Sequence, residues 1–230
     1  DFDLPSPTRY GYQFDGWDVS GVAEDGSAGP VLGTGVETVA GADGSKVTRV
    51  RAGTYGDLSC TARWTLRYDL DVPVADPGSV TFEADPMTGQ VRVKPGTSAD
   101  GELRSYMAVP VELDELSCEG LDASGAVDPA GGAPELEAIF GAGSASKVRF
   151  TATLGGGASA LTAKVTAGGA AGSASLAGLS IPAATSKADP GRLAVAYGLE
   201  LDPGLPIPPV RDAAPVARLA YTVSLAGAGA

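Results

Sequence analysis

Apolar and polar residues alternate with a period of two through much of this chain, the spacing of half-buried β-strands. Tyr10, Tyr12 and Phe14 alternate with small or polar neighbours, and residues 46–51 and 57–64 read as further short strands. From Trp64 the alternation is clean. Trp64, Leu66, Tyr68, Leu70 and Val72 fall on one face; Thr65, Arg67, Asp69 and Asp71 fall on the other. More strands are expected at residues 79–84, 90–94, 105–113, 147–154, 161–166, 192–201 and 216–225. Asp-Pro and Asp-Pro-Gly turn signals separate them, at Asp76, Asp85, Asp128, Asp189 and Asp202. A single short helix is expected at residues 134–140. Many short strands so punctuated predict an all-β chain built mainly as a β-sandwich.

The pattern also divides the chain. Residues 1–64 carry aromatic strands between Gly-rich loops at residues 28–35 and 41–45, and residues 65–230 carry the longer series of alternating segments. Residues 155–180 are rich in Gly, Ala and Ser with one charge, Lys164. Leu161, Ala163 and Val165, then Leu176 and Leu179, keep apolar order there, so strands with small side chains are expected over a flexible linker. The end, residues 227–230, is expected to fray.

Composition narrows the function. Of 230 residues, 33 are Gly and 17 Pro, too many for a helical protein. With 16 basic and 28 acidic residues the net charge is −12, which argues against nucleic acid and anionic membranes as partners. No apolar run is long enough to predict membrane insertion. Asp1-Phe2-Asp3-Leu4-Pro5 has neither the basic start nor the apolar stretch of a signal peptide, as expected of a mature product or a fragment. His is absent, which removes Ser–His–Asp and Cys–His catalysis and His-ligated zinc from within this chain.

Pro7-Thr8-Arg9-Tyr10-Gly11-Tyr12-Gln13-Phe14-Asp15-Gly16-Trp17 resembles the opening of the Listeria–Bacteroides repeat, the internalin B-type repeat. Leu58, Ala62 and Trp64 stand where that motif ends. The resemblance implies a small β-grasp-like module of secreted and Gram-positive surface proteins. Pro7, Gly11, Tyr12, Phe14, Gly16, Trp17 and Trp64 would be structural positions in it. The family repeat has a strand and helix before the Pro-Thr segment, so the module here is expected to be truncated. The stretch 70–93 and the late Tyr197-Gly198-Leu199 and Leu219-Ala220-Tyr221 segments resemble, more loosely, a β-domain of such surface proteins. Trp64-Thr65-Leu66 spells the Trp-x-Leu tag of wall-binding domains, but Trp64 is better placed as the end of the repeat.

Candidate chemistry is sparse. Ten acidic residues between Asp100 and Glu137 face a single base, Arg104. Calcium is one reading, but no Asp-x-Asp-x-Asp-Gly loop occurs and a solvated acidic face is favoured. Asp69 and Asp71 share a strand face and are formally a glycosidase pair. Cys60 and Cys118 are either a bridge between the two modules or two thiols. A Lys–Asp isopeptide would draw on Lys147 or Lys164 with Glu83. Gly155-Gly156-Gly157 lacks the ending of a phosphate loop. Tyr10, Tyr12, Phe14 and Trp17 are expected to pack a core and not to form a ligand platform. No catalytic, cofactor or metal residue is assigned. The expectation is a non-enzymatic stalk or adhesin segment at a bacterial cell surface, meeting host-surface or wall glycans or proteins. The alternatives are a carbohydrate- or wall-polymer-binding module and, third, a carboxylate-based glycoside hydrolase.

Overall fold

The computed structural model describes residues 1–41, 46–67, 79–85, 87–88, 90–94, 98–167, 172–205 and 214–225. The chain is all-β, as the alternation predicts, and divides into two compact units, Asp1–Asp69 and Leu70–Ala230.

The first unit holds β1 (Phe2–Asp3), β2 (Tyr12–Val22), β3 (Ala28–Gly29), β4 (Val36–Ala40), β5 (Lys46–Val50) and β6 (Leu58–Leu66). They form two antiparallel sheets, ordered β1-β5-β4 and β3-β2-β6, with β2 packed against β5. In β2 a strict period of two from Tyr12 would put Trp17 on the face opposite Phe14. A bulge at Asp15 prevents this: Phe14 pairs with Trp64, then Gly16 with Arg63 and Trp17 with Ala62. Gly16 takes φ 125°, a conformation an L side chain rarely adopts. The Thr65 hydroxyl, donating to the Asp15 carboxylate at 2.6 Å, pins the extra residue.

Thr65 and Leu66 pair with Gln13 and Tyr12, so the start expected for the second module, residue 65, falls inside the last strand of the first unit. The continuation of that pattern from Tyr68 to Val74, and the turn at 76–78, lie outside the described residues, as do 42–45 and 227–230. β4 is a strand beyond those expected; its five residues are too short a pattern between Gly-bearing loops.

The second unit holds β7 (Phe82–Ala84), β8 (Val91–Val93), β9 (Asp100–Ser105), β10 (Val111–Gly120), α1 (Pro134–Phe140), β11 (Val148–Leu154), β12 (Leu161–Thr166), β13 (Ser173–Ile181), β14 (Gly191–Leu201) and β15 (Ala217–Leu225). β7 and β8 form a hairpin beside β14. The rest is a sandwich of two antiparallel sheets, β12-β11-β14-β9 and β13-β10-β15. Only β11 and β12 are sequence neighbours within one sheet; every other step from β9 to β15 changes sheets. The core lies between them, with Leu113 and Leu116 from one side and Val148, Leu154 and Val165 from the other. Leu136 of α1, fully buried, joins the same cluster.

Residues 105–113 are expected as one strand, and the structure corrects this. β9 ends at buried Ser105, Met107 is buried in the crossing, and β10 begins in the opposite sheet at Val111. The Met107 N–H donates to the Ser105 hydroxyl at 3.2 Å. A period of two does not register a change of sheet. The Gly/Ala/Ser stretch does form strands, β12 and β13, with Ala163, Val165 and Leu176 buried; residues 168–171 lie outside the described residues.

Candidate functional site

Among the described residues the carboxylates do not converge. Asp69 and Asp71 lie outside the described residues. The ten acids of the 100–137 stretch spread over several elements. Glu102 pairs with Arg192 at 2.7 Å and Arg104 at 3.2 Å, Asp122 accepts from Ser124 and Ala126 in a turn, and Asp128 accepts the Gly132 N–H. Asp114 accepts from Ser224 on the outer face of β10. Among the described residues no group of three potential ligands gathers around a metal position.

A shallow groove of about 440 Å³ opens where Gln90 and Val91 meet Arg149, Leu199 and Glu200. Its charges are already matched. Glu200 accepts from Lys164 at 2.8 Å and Arg149 at 3.4 Å, and Arg149 also pairs with Asp202. The hydrogen bond from Lys164, with Arg149 behind it, holds the Glu200 carboxyl below its ordinary range. A glycosidase acid needs the opposite shift. Exposed pairs of this kind contribute little to stability; here they cover the outer face of the sheet.

Lys164 is therefore exposed and paired with Glu200, Lys147 is exposed, and Glu83 pairs with Arg92 at 2.7 Å. The buried arrangement an isopeptide requires is not formed by these three.

Both cysteines are free thiols, Cys60 exposed on β6 and Cys118 buried in the sandwich core. Burial, with Glu119 adding to it, pushes the Cys118 thiol up to about 12. Under native conditions at pH 8 a maleimide should therefore label Cys60 alone. Cys118 should react only once the protein is unfolded, as intact mass reads directly; native double labelling would contradict the placement of Cys118.

The Tyr221 hydroxyl donates to that of Tyr197 at 3.1 Å, joining β15 to β14 across the sandwich. Burial raises both pKa values. Folded values of Cys118, Tyr197 and Tyr221 all lie above unfolded ones, so the folded state holds protons the unfolded state releases in alkali. Their stabilisation is complete below the unfolded values and fades as pH rises through them. The urea midpoint should fall above about pH 8.5, and these two tyrosines should ionise only as the sandwich unfolds. Phenolate absorbance for all seven tyrosines before any loss of circular dichroism would contradict this.

In the first unit, Phe14 stacks edge-on to Trp17 (5.7 Å between centroids) and Trp64 (5.3 Å). The Trp17 indole N–H donates to the Pro5 carbonyl at 2.8 Å, and the Arg9 guanidinium sits 4.0 Å from the Tyr12 ring centroid. These rings are half-buried and pack on one another. This is a slight core: Val50 is the one buried hydrophobic residue among the described residues of this unit.

Nearby, two loops are stapled together. The Thr34 hydroxyl donates to the Ala52 carbonyl at 2.5 Å. Thr54 donates to the Gly35 carbonyl at 2.8 Å and accepts the Gly35 N–H at 3.1 Å. Leu32 and Tyr55 form an antiparallel bridge within this staple, and both are exposed. A methyl group on Gly33 would overlap the Gly53 carbonyl and crowd the Tyr55 ring. The sequence hides this site: one Leu and one Tyr in Gly- and Thr-rich loops match no apolar period. Their only signal is that they lack one.

No family model, curated protein or solved structure matches the chain.

Proposed function

We propose that the chain is a non-catalytic β-module of an extracellular bacterial surface protein, a stalk or adhesin segment that carries a recognition surface on a self-supporting sandwich. One observation carries this reading: apolar burial and apolar exposure are separated. Among the described residues, the second unit encloses nearly all the buried hydrophobic ones, while four of the five large hydrophobic side chains left exposed (Phe2, Val22, Leu32 and Tyr55) belong to the first. Two of these, Leu32 and Tyr55, are paired, and exposed apolar residues that lie together mark partner sites. The aromatic motif of residues 7–17 and the lowered pKa of carboxylates such as Glu102 and Glu200 support the same reading.

A glycan- or wall-polymer-binding role is the second reading, favoured by the exposed ring of Tyr55. The purified chain is to be screened against glycans, peptidoglycan and host-matrix proteins, with calcium at physiological salt, and assayed for hydrolysis of the same polymers. Saturable binding without turnover is expected. Turnover abolished by a carboxylate substitution would replace this reading with the hydrolase.

A further inference from the structure

We propose that the stapled loop pair around Leu32 and Tyr55 docks a cationic polypeptide segment bearing an apolar or aromatic anchor. This rests on the reading of the chain as a non-catalytic presenting module and names the partner of that surface.

The patch is apolar and exposed. Tyr55 is 64% exposed, Leu32 44% and Val22 40%. Leu32 and Tyr55 are directly paired, and the Tyr55 N–H donates to the Leu32 carbonyl at 3.3 Å. The Val22 N–H donates to the carbonyl of Asp57, two residues beyond Tyr55, at 3.0 Å. The patch is also preorganised. Thr34 and Thr54 bind backbone across the gap, and Gly33 and Gly53 hold the turns at φ 83° and 89°. A loop fixed before binding loses little entropy on docking, and Tyr is among the residue types that anchor interfaces.

Charge selects the occupant. Asp57 follows Tyr55 by two residues, and Glu24 and Asp25 occupy the turn after Val22. Asp57 and Glu24 have no ion-pair partner among the described residues. Of the cations beside the loops, Arg49 pairs with Asp3 at 2.6 Å and Arg51 faces Glu37 at 3.9 Å, so neither leaves an unmatched positive charge. The rim is therefore acidic around an apolar centre, the complement of a basic segment with an apolar anchor. A second copy carries the same charge of −12 and is repelled, as are anionic wall polymers.

The intact chain is to be tested by fluorescence anisotropy against three sets of short synthetic peptides. One set is Lys/Arg-rich with Trp or Leu anchors, one is equally basic with Ser replacing the anchors, and one is Glu-rich with the anchors kept. A neutral glycan array and sedimentation velocity run alongside. Binding to the first set alone is expected, weakening steeply with salt. Leu32→Ser with Tyr55→Ser should reduce affinity about tenfold or more. Asp57→Asn should flatten the salt dependence, and Met87→Ser, at an exposed residue of the second unit, should change nothing. The two loop side chains are exposed, so the double variant keeps its fold, which circular dichroism checks. No peptide binding, equal binding to the anchor-free or acidic set, or a Tyr55-dependent affinity for glycans or for a second copy overturns the proposal. Polymer turnover overturns the non-catalytic reading instead, and the two failures are told apart by product formation.

Discussion

Leu116→Ala is expected to remove about 2–5 kcal/mol from the stability of the second unit. Leu116 is fully buried on β10, the central strand of its sheet, between Ala174 of β13 and Tyr221 of β15. Neighbours on three strands are held by their ladders, so they cannot collapse into the space left behind. The cavity therefore adds to the lost transfer free energy. Urea unfolding followed by tyrosine absorbance reads this unit through Tyr197 and Tyr221, which are half-buried and pack against its core. A loss below about 1 kcal/mol would mean the site relaxes and that the two sheets are not closely packed there.

Gly191→Ala is expected to be nearly as damaging, at about 3 kcal/mol, the upper end for an overpacked site. Gly191 is buried at the start of β14, paired with Ser105 of β9. A methyl group there would overlap the Pro182 carbonyl oxygen and touch Ile181. A backbone carbonyl cannot rotate aside. Gly198→Ala in the same strand is the control. Its new methyl meets only the Thr151 side chain, crowding the hydroxyl and making ordinary contact with Cβ; a hydroxyl can turn where a backbone carbonyl cannot, so its effect should be clearly smaller. Equal melting temperatures for the two variants would show that the crossing before β14 yields more freely than its geometry implies.

Gly191 also shows how far the chain can be read without its structure. In sequence it closes an Asp-Pro-Gly turn signal, but the turn bond runs earlier, from the Asp189 N–H to the Ser186 carbonyl, and Gly191 already opens β14; its close approach to Pro182, nine residues back in the same crossing, has no signal in the pattern. Period-two alternation locates β11, β12, β14 and β15 within a residue or so, because each has one face in the core. It carries Ser105 straight through to Leu113, because alternation persists while the chain changes sheets. It does not register the bulge at Asp15, which brings Trp17 to the side of Phe14. The candidate site was illegible for a different reason. Patterns report residues that share a buried face, and Leu32 and Tyr55 share an exposed one, brought together by two loops some twenty positions apart.

The unequal cores of the two units matter once the chain is pulled. Tension on a protein anchored at one end and holding a partner at the other acts on both units, and the one with fewer buried contacts opens first. With Val50 as its one buried hydrophobic residue among those described, the Asp1–Asp69 unit is the weaker spring. Its 69 residues stretch to roughly 230 Å when fully extended, slack released before the sandwich is loaded to failure. Opening it would also dismantle the Thr34–Thr54 staple, so, on the docking proposed above, a bound partner would be released at the force at which this unit lengthens.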